Sequence, residues 1–304
     1  MSVDPRMAVL RAGFLRIIRE FFWDTGFIEV DTPIRLPLLI PERHIVPIQS
    51  ENHFLQTSPE ICMKRLLASG LPAIFQICHC FRKDERGKRH LEEFTMVEWY
   101  RLHADYRDLM DDCGIFLKYL LHRISELDGL LPGLAQRAQR LIDEFGDGPE
   151  RLTVADAFLL YSPVSLSQSL SDDTYEEILV EHIEPHLGRS RPLILYDYPA
   201  EHASLAKKQP GNSNCAERFE LYLHGIELAN GFSELTDPVE QRKRFIQAIY
   251  EIENLEQRVA EMPESFLEDL GKIPEAAGIA LGVDRLFMLL CGRDDIRQVV
   301  NFPA

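Results

Sequence analysis

Cysteine and long apolar runs are both scarce in this sequence of 304 residues. None of the six cysteines forms a Cys-x-x-Cys pair, so we expect neither a disulfide framework nor a zinc ribbon. Cys78 and Cys80 flank His79, but in an extended segment His79 would point to the opposite face, which argues against a metal site there. No apolar stretch reaches the roughly 18 residues that cross a bilayer, so we expect a cytoplasmic protein with no membrane span.

Basic residues are also few, because 33 lysines and arginines stand against 49 aspartates and glutamates. The net charge of −16 disfavours a nucleic-acid coat or a membrane-surface protein, since affinity for phosphate backbones depends on Lys and Arg. A local basic patch remains compatible with this charge, so the composition is only a weak argument against tRNA. The N-terminal segment mixes charged and apolar residues and therefore predicts an amphipathic helix rather than a signal peptide.

Hydrophobic periodicity predicts an α+β fold around a largely antiparallel sheet. Residues 129–190 carry mixed helical signals without a recognisable motif, and we expect them to form an insertion packed beside the core. The predicted helices cover residues 7–23, a segment beginning near 59, and residues 105–127 and about 238–262, and a last helix closes the segment 278–291. The predicted strands cover residues 27–33, 73–82, 94–100, 193–198 and 219–235, with a further one beginning at 278.

Two of the predicted strands place polar side chains on one face of the sheet. Because side chains alternate in a strand, four residues of the second strand share a face, namely Phe94, Met96, Glu98 and Tyr100. The preceding strand presents Gln76, Cys78 and Cys80 in the same way and leads to Arg82. These residues suit a pocket for a flat base and a cationic group. A solvated sheet face with a surface ion pair is the alternative interpretation.

Four segments resemble the class II aminoacyl-tRNA synthetases in their lysine-specific form. Residues 26–33 resemble motif 1, residues 81–96 motif 2 and residues 278–286 motif 3, while residues 225–235 are similar to the acidic strand of the lysyl enzymes. The order of the segments is that of the family, and they extend over most of the chain. The resemblance implies a class II catalytic domain over residues 1–304, an antiparallel sheet flanked by helices, and a homodimer formed through motif 1.

The resemblance also implies an ATP site with Arg82 and Arg285 as catalytic residues. Arg82 would contact the substrate carboxylate and the α-phosphate, and Phe94 would stack on adenine. The other implied ATP contacts are Lys83, Asp84, His90, Leu91, Glu227, Leu228 and Gly282. Glu227 and Glu234 would bind Mg²⁺. A solvated acidic edge with a turn at Asn230 is the alternative for these two glutamates.

The amino-acid side of the implied site favours lysine or a close relative. Glu98 and Tyr100 would hold a side-chain ammonium, and Ser58 and Glu60 would hold the other amine, because a buried ammonium requires such acceptors. The remaining implied substrate contacts are Pro59, Asn230, Glu234 and Ala280.

Within this family, the chain more closely resembles the stand-alone elongation factor P–(R)-β-lysine ligases than the tRNA enzymes. Motif 1 begins close to the first residue, so we expect no anticodon-binding domain before it. Ser58 and Ala280 match the ligases, where the tRNA enzymes usually have alanine and glycine. The resemblance implies that β-lysine is adenylated with ATP and transferred to a lysine ε-amino group of elongation factor P, with AMP and pyrophosphate as products. A role for tRNA is not expected.

The sequence departs from the family at two positions of the motif 2 loop. Asp84 is one methylene shorter than the usual glutamate, and Glu85 is the alternative for its role. Leu91 replaces asparagine, which is harmless if the contact with adenine is made by the backbone and is a loss if it is made by the side chain. Two other functions stay open. One is aminoacylation of tRNA, with tRNA binding supplied by another chain, and the other is that of a catalytically inactive regulatory subunit. An inactive subunit would not need the four residues of the implied site, and their presence argues against that function: Arg82, Glu227, Glu234 and Arg285.

Overall fold

The computed structural model describes residues 4–146, 148–203, 205–255 and 258–303. The helices of the first half are α1 (Pro5–Asp24), α2 (Glu60–Ala68), α3 (Tyr106–Ile124) and α4 (Leu134–Phe145). Those of the second half are α5 (Val154–Tyr161), α6 (Leu166–Ser171), α7 (Tyr175–Ile178), α8 (Pro238–Leu255), α9 (Glu264–Leu270) and α10 (Val283–Leu290). None of the helices in these ranges is long and apolar enough to cross a membrane.

The strands form one large sheet and one small sheet. In chain order they are β1 (Ile28–Glu29), β2 (Arg35–Leu36), β3 (Gln49–Ser50), β4 (His53–Leu55), β5 (Ala73–Phe81), β6 (Glu93–Leu102), β7 (Glu150–Thr153), β8 (Leu193–Pro199), β9 (Lys208–Gln209), β10 (Asn212–Leu223), β11 (Ile226–Ser233) and β12 (Ala276–Gly282). The large sheet has the order β1-β5-β6-β12-β11-β10-β8-β7, and β9 pairs with β10. Only its two edge pairs, β1 with β5 and β7 with β8, are parallel. The predicted α+β fold with a largely antiparallel sheet is confirmed.

Helix α1 closes one face of this sheet with an aromatic core. Asp4 caps the helix by accepting from the backbone N–H of Arg6, and Pro5 occupies the first turn, where its missing N–H costs nothing. Phe22 is fully buried and stacks on Phe75 of β5 with ring centroids 4.6 Å apart. Gly26 ends the segment with a φ of +85°, a conformation that glycine adopts without steric cost. The helix thus covers the face of the sheet that is opposite to the site described below.

The pairing register aligns polar side chains across the middle of the sheet. Gln76 of β5 is opposite Glu98 of β6, which is opposite Ala280 of β12. Ala280 is in turn opposite Asn230 of β11, and Asn230 is opposite Glu220 of β10. Directly paired residues point to the same face of a sheet, so these five form one row. The shared face of β5 and β6 that alternation predicts is therefore confirmed.

A β-bulge in β11 brings Glu227 to that same face. The register shifts between Leu221 and Tyr222, so that Leu221 pairs with Ala229 while Tyr222 pairs with Glu227. Leu228 is the extra residue, and without it Glu227 and Asn230 would point to opposite faces.

Three details of the chain differ from the predicted elements. The turn between β10 and β11 lies at His224 and Gly225, both with positive φ, whereas Asn230 lies inside β11. The segment 129–190 contains helices but also β7, and its status as an insertion stays a prediction. Helix α8 ends at Leu255 instead of continuing to 262, and residues 256 and 257 lie outside the described part of the chain.

Candidate active site

A cavity of about 990 Å³ lies over the polar row of the sheet. This volume is at the upper end of the range for small-molecule sites, so it has room for two ligands side by side. Its wall includes most of the predicted site residues, namely Ser58, Glu60, Arg82, His90, Leu91, Phe94, Glu98, Tyr100, Glu227, Leu228, Asn230, Ala280, Gly282 and Arg285.

Arginines line one end of the cavity. The guanidinium carbon of Arg82 lies 5.2 Å from the centroid of the Phe94 ring, so that a cation and an aromatic face are adjacent. Arg285, in the first turn of α10, donates to the Glu227 carboxylate over 3.3 Å and lies 2.6 Å from His90 Nε2. Such an end favours anions, because planar guanidinium groups match phosphate and carboxylate oxygens.

His90 is neutral in this environment at pH 7. Burial and the neighbouring positive charge of Arg285 both lower the pKa of the His90 imidazole. The ring therefore has a lone pair facing the Arg285 guanidinium and adds no positive charge of its own.

Carboxylates line the opposite end. Glu98 is 1% exposed and accepts a hydrogen bond of 2.8 Å from the Tyr100 hydroxyl. Burial and the nearby charge of Glu60 raise the pKa of Glu98 well above its ordinary value. A buried, crowded carboxyl group of this kind is a binding position for a cation, which would stabilise its ionised form.

Sequence reasoning missed Lys64, which lies beneath the acidic end. Its Nζ is 2.5 Å from Glu60 Oε1 and 2.5 Å from Glu234 Oε2. The spacing of Glu60 and Lys64 is one helical turn, and this signal is present in the sequence. The position of Glu234 beside them depends on tertiary structure and could not be read from spacing.

Glu42 is a second residue that sequence reasoning missed. It enters the cavity wall from the irregular connection between β2 and β3. Burial and the charge of Glu60 raise the pKa of Glu42 to about 7, so its protonation changes near neutral pH. Connections without periodicity give no sequence signal for such a role.

The structure does not bring the predicted Mg²⁺ pair, Glu227 and Glu234, close together. Glu227 lies near the start of β11 and Glu234 follows its end, so roughly 20 Å of extended backbone separates them. They also have different cationic partners, Arg285 for Glu227 and Lys64 for Glu234. Glu234 is 3% exposed, so the alternative of a solvated acidic edge does not apply to it. The alternative of a turn at Asn230 does not apply either, because Asn230 lies inside β11.

Glu220 is the carboxylate that the fold brings beside Glu227. It is buried, accepts from Arg218 over 2.7 Å and is bonded by the hydroxyl of Tyr222. Burial and the charge of Glu227 raise the pKa of Glu220, which indicates that the two carboxylates repel each other. In the ranges that the structure covers, no three His, Cys, Asp or Glu side chains form a metal-binding group.

The motif 2 loop places Glu85, not Asp84, in the cavity wall. Among the described residues, Pro59, Lys83, Asp84 and Glu234 do not line the cavity, whereas Glu85 does and lies 3.7 Å from Arg82. Asp84 is exposed with a φ of +65°, and its backbone N–H donates to Glu92. Pro59 instead immediately precedes α2, between Ser58 and Glu60.

Three segments meet at the mouth of the cavity. Glu176 of α7 lies 3.9 Å from His44 and 3.6 Å from His202, and all three line the cavity. The His202 ring stacks on Tyr175 with centroids 4.1 Å apart. The segment 129–190 therefore contributes to the rim.

The sequence is similar over most of its length to one protein family and to several named proteins. The family model of class II tRNA synthetases (D, K and N) matches residues 5–304. The chain is 37% identical over 310 residues to the elongation factor P–(R)-β-lysine ligase of Salmonella gallinarum, covering 97% of this chain and 94% of that protein. The proteins of the same name from Edwardsiella ictaluri and Enterobacter sp. are also 37% identical, over 312 and 310 residues, with the same coverage.

Gly278 provides a test of how closely the acidic end is packed. A Cβ atom there would lie 2.2 Å from Tyr100 Cε1 and 2.5 Å from Glu234 Oε1. We expect Gly278→Ala to lower the free energy of unfolding in urea by about 1–3 kcal/mol, as overpacking does in cores. The matched control is Gly271→Ala, whose Cβ would meet its nearest neighbour at 3.4 Å. Equal stability of the two variants would contradict the packing described here.

Proposed function

Because the chain belongs to the class II tRNA synthetases (D, K and N), we propose that it is an ATP-dependent ligase that activates (R)-β-lysine and transfers it to a lysine ε-amino group of elongation factor P. The observation that carries this proposal is the charge distribution of the cavity. Arginines line one end, where ATP would bind, and buried carboxylates line the other, where an amino acid with two amines would bind. The curated relatives, which match nearly the whole chain, carry the name of this activity.

The nucleotide would bind between Phe94 and the arginines. Adenine would stack on Phe94, and Arg82 beside it would reach the α-phosphate and the substrate carboxylate. Arg285 would meet the phosphate tail, with neutral His90 accepting one of its N–H groups. Glu85 is the better-placed candidate for the contact that the resemblance gives to Asp84, and Leu91 is half-buried against the core.

The amino acid would lie over the row formed by Glu98, Ala280 and Asn230. Glu98 with Tyr100 would hold one ammonium, and Glu60 with Ser58 would hold the other. Glu234 would belong to this amino-acid site rather than to a metal site. Two ammonium groups among these carboxylates would offset the charges that burial makes costly.

The reaction requires no nucleophile from the protein. One carboxylate oxygen of β-lysine attacks the α-phosphorus of ATP, and the bond to the bridging oxygen breaks to release pyrophosphate. The acceptor ε-amine then attacks the acyl carbon, the C–O bond to AMP breaks, and the amine loses a proton as the amide forms. Arg82 and Arg285 would act by positioning the reacting groups and by stabilising charge on the phosphates.

A magnesium ion fits Glu220 and Glu227 better than the pair expected from the sequence. Their mutual repulsion would be relieved by a divalent cation, and carboxylate oxygens are suitable ligands. When bound, the ion would neutralise phosphate charge.

We also propose a homodimer in the cytoplasm. The motif 1 segment and the residues around it leave large apolar side chains exposed, with Trp23 at 52%, Ile28 at 44% and Ile34 at 43%. Such side chains are candidates for a subunit interface. The cytoplasm is the compartment in which an elongation factor would be modified.

The direct test is ATP–pyrophosphate exchange with β-lysine and with α-lysine, followed by acyl transfer to elongation factor P or to tRNA. We expect exchange that favours β-lysine and transfer to the protein only. Exchange that favours α-lysine with transfer to tRNA would establish the tRNA-type enzyme instead, and no exchange with any amino acid would indicate a regulatory subunit. Arg82→Gln should lower kcat/KM of exchange at least about 100-fold. Arg86→Gln in the same exposed loop is the matched control and should stay near the wild type.

Ala280 is proposed to set the preference between the two lysine isomers. Its side chain lies between Glu98 and Asn230 in the row that forms the floor of the cavity. Removing this methyl group should give the amine on the α carbon more room, at a scale of about 1–3 kcal/mol for one methyl group. We expect Ala280→Gly to shift the ratio of kcat/KM values toward α-lysine. A ratio equal to that of the wild type would exclude Ala280 as a determinant.

A further inference from the structure

Lys64 is a fully buried cation in the floor of the acidic end. Its side chain is 2% exposed, and it comes from the second turn of α2, one turn after Glu60. The ammonium group lies 2.5 Å from one oxygen of Glu60 and 2.5 Å from one oxygen of Glu234. It also lies 5.3 Å from the centroid of the Phe232 ring. Burying a lysine is costly unless it is paired, and here it has two ionic partners.

The groups around Lys64 are mostly acidic and come from several elements. Besides Glu60 of α2 and Glu234 after β11, Glu98 of β6 and Glu42 of the β2–β3 connection are close enough for Lys64 to lower their pKa values. Burial opposes the positive charge of Lys64, but Glu234 and Glu60 raise its pKa above the ordinary value. Lys64 is therefore charged at neutral pH, whether or not the cavity contains a ligand. The guanidinium groups of Arg82 and Arg218 also lower the pKa of Glu42.

The ion pair with Lys64 uses one oxygen of Glu234 and leaves the other beside Gly278. Glu234 Oε1 has no hydrogen-bond partner among the described residues, and it lies 2.5 Å from the position that a Cβ would take on Gly278. Gly278 itself lines the cavity, as does Glu60. An unpartnered carboxylate oxygen in a buried position is costly, and an ammonium group from a ligand would satisfy it.

We propose that Lys64 is a positioning residue that makes the acidic end selective for an amino acid with two ammonium groups. It holds one oxygen of Glu60 and one of Glu234, favours the ionised form of Glu234, and leaves their other oxygens to bind substrate amines. The proposal rests on the function proposed above, because it names how the same site recognises its substrate.

Removal of Lys64 has a consequence for pH dependence that a purely structural role would lack. Burial raises the pKa of Glu234 to about 8, and Lys64 is the group that opposes this rise. Without Lys64 the pKa of Glu234 would rise further, so the carboxyl group would ionise only at a higher pH than it does in the wild type. A protonated Glu234 cannot accept the charge of a substrate ammonium. The binding defect should therefore be larger at low pH and smaller at high pH.

The experiment measures the Kd of (R)-β-lysine by calorimetry for the wild type and for Lys64→Met. We expect the Kd to rise about tenfold or more at pH 6.5, the loss of one charge-assisted contact, and to rise less at pH 8.5. The Kd of a non-hydrolysable ATP analogue, measured on the same samples, should stay unchanged. Lys272→Met is the matched control, because Lys272 is a 61% exposed lysine paired with Asp269, and it should bind β-lysine as the wild type does.

The proposal would be overturned if Lys64→Met raised the Kd of β-lysine and the Kd of the ATP analogue by the same factor. It would also be overturned if the rise in the Kd of β-lysine were the same at both pH values. If Lys64→Met does not fold, Lys64→Met/Glu234→Gln removes both charges and should fold with weak, pH-independent binding of β-lysine. Wild-type affinity in that double variant would likewise overturn it. A wild type that does not bind β-lysine, or binds it without pyrophosphate exchange, contradicts the proposed function, whereas a wild type that binds β-lysine and a Lys64→Met variant with the same Kd contradict only the role of Lys64.

Discussion

The pairing register of five neighbouring strands is the constraint on which the site depends. Because Gln76, Glu98, Ala280, Asn230 and Glu220 are directly paired across β5, β6, β12, β11 and β10, their side chains form one row on one face. A slip of one residue in any strand would turn its polar side chains toward the aromatic core under α1. The bulge at Leu228 adds Glu227 to the same face. Burial of the opposite face against α1 and α3 therefore fixes the register that forms the cavity floor.

The second constraint is electrostatic. Glu60, Glu98 and Glu234 are buried together, and their charges are tolerable only with cations among them. Lys64 supplies one such cation permanently, and a diamino acid would supply two more on binding. At the other end, Arg82 lies beside Phe94 and Arg285 beside His90, and the two positive charges favour bound anions. This arrangement suits a ligand that has amines at one end and a carboxyl group next to phosphates at the other.

Much of the fold and part of the site could be predicted from the sequence, because both depend on local rules. Alternation in 94–100 placed Glu98 and Tyr100 on one face, and the predicted alternation of Cys78 and Cys80 is confirmed by sulfur atoms 3.9 Å apart, with His79 bound to Glu93 on the exposed side. The failures depend on tertiary structure. The bulge at Leu228 has no sequence signal, so the position of Glu220 near Glu227 could not be predicted. Glu42 entered the site from a connection without periodicity, and Lys64 became a site residue only when α2 packed against the end of β11.

We propose that the cavity orients a diamino acid with its amines among the carboxylates and its carboxyl group at Arg82. The most direct measurement is a crystal structure of the protein soaked with (R)-β-lysine and ATP in the presence of magnesium. We expect electron density for β-lysyl adenylate or for its two precursors. One ammonium group should lie within hydrogen-bond distance of Glu98 and the other near Glu60 and Glu234, and the adenine should stack on Phe94. Amines bound at the arginine end, or nucleotide bound with the acidic end unable to take β-lysine, would contradict it.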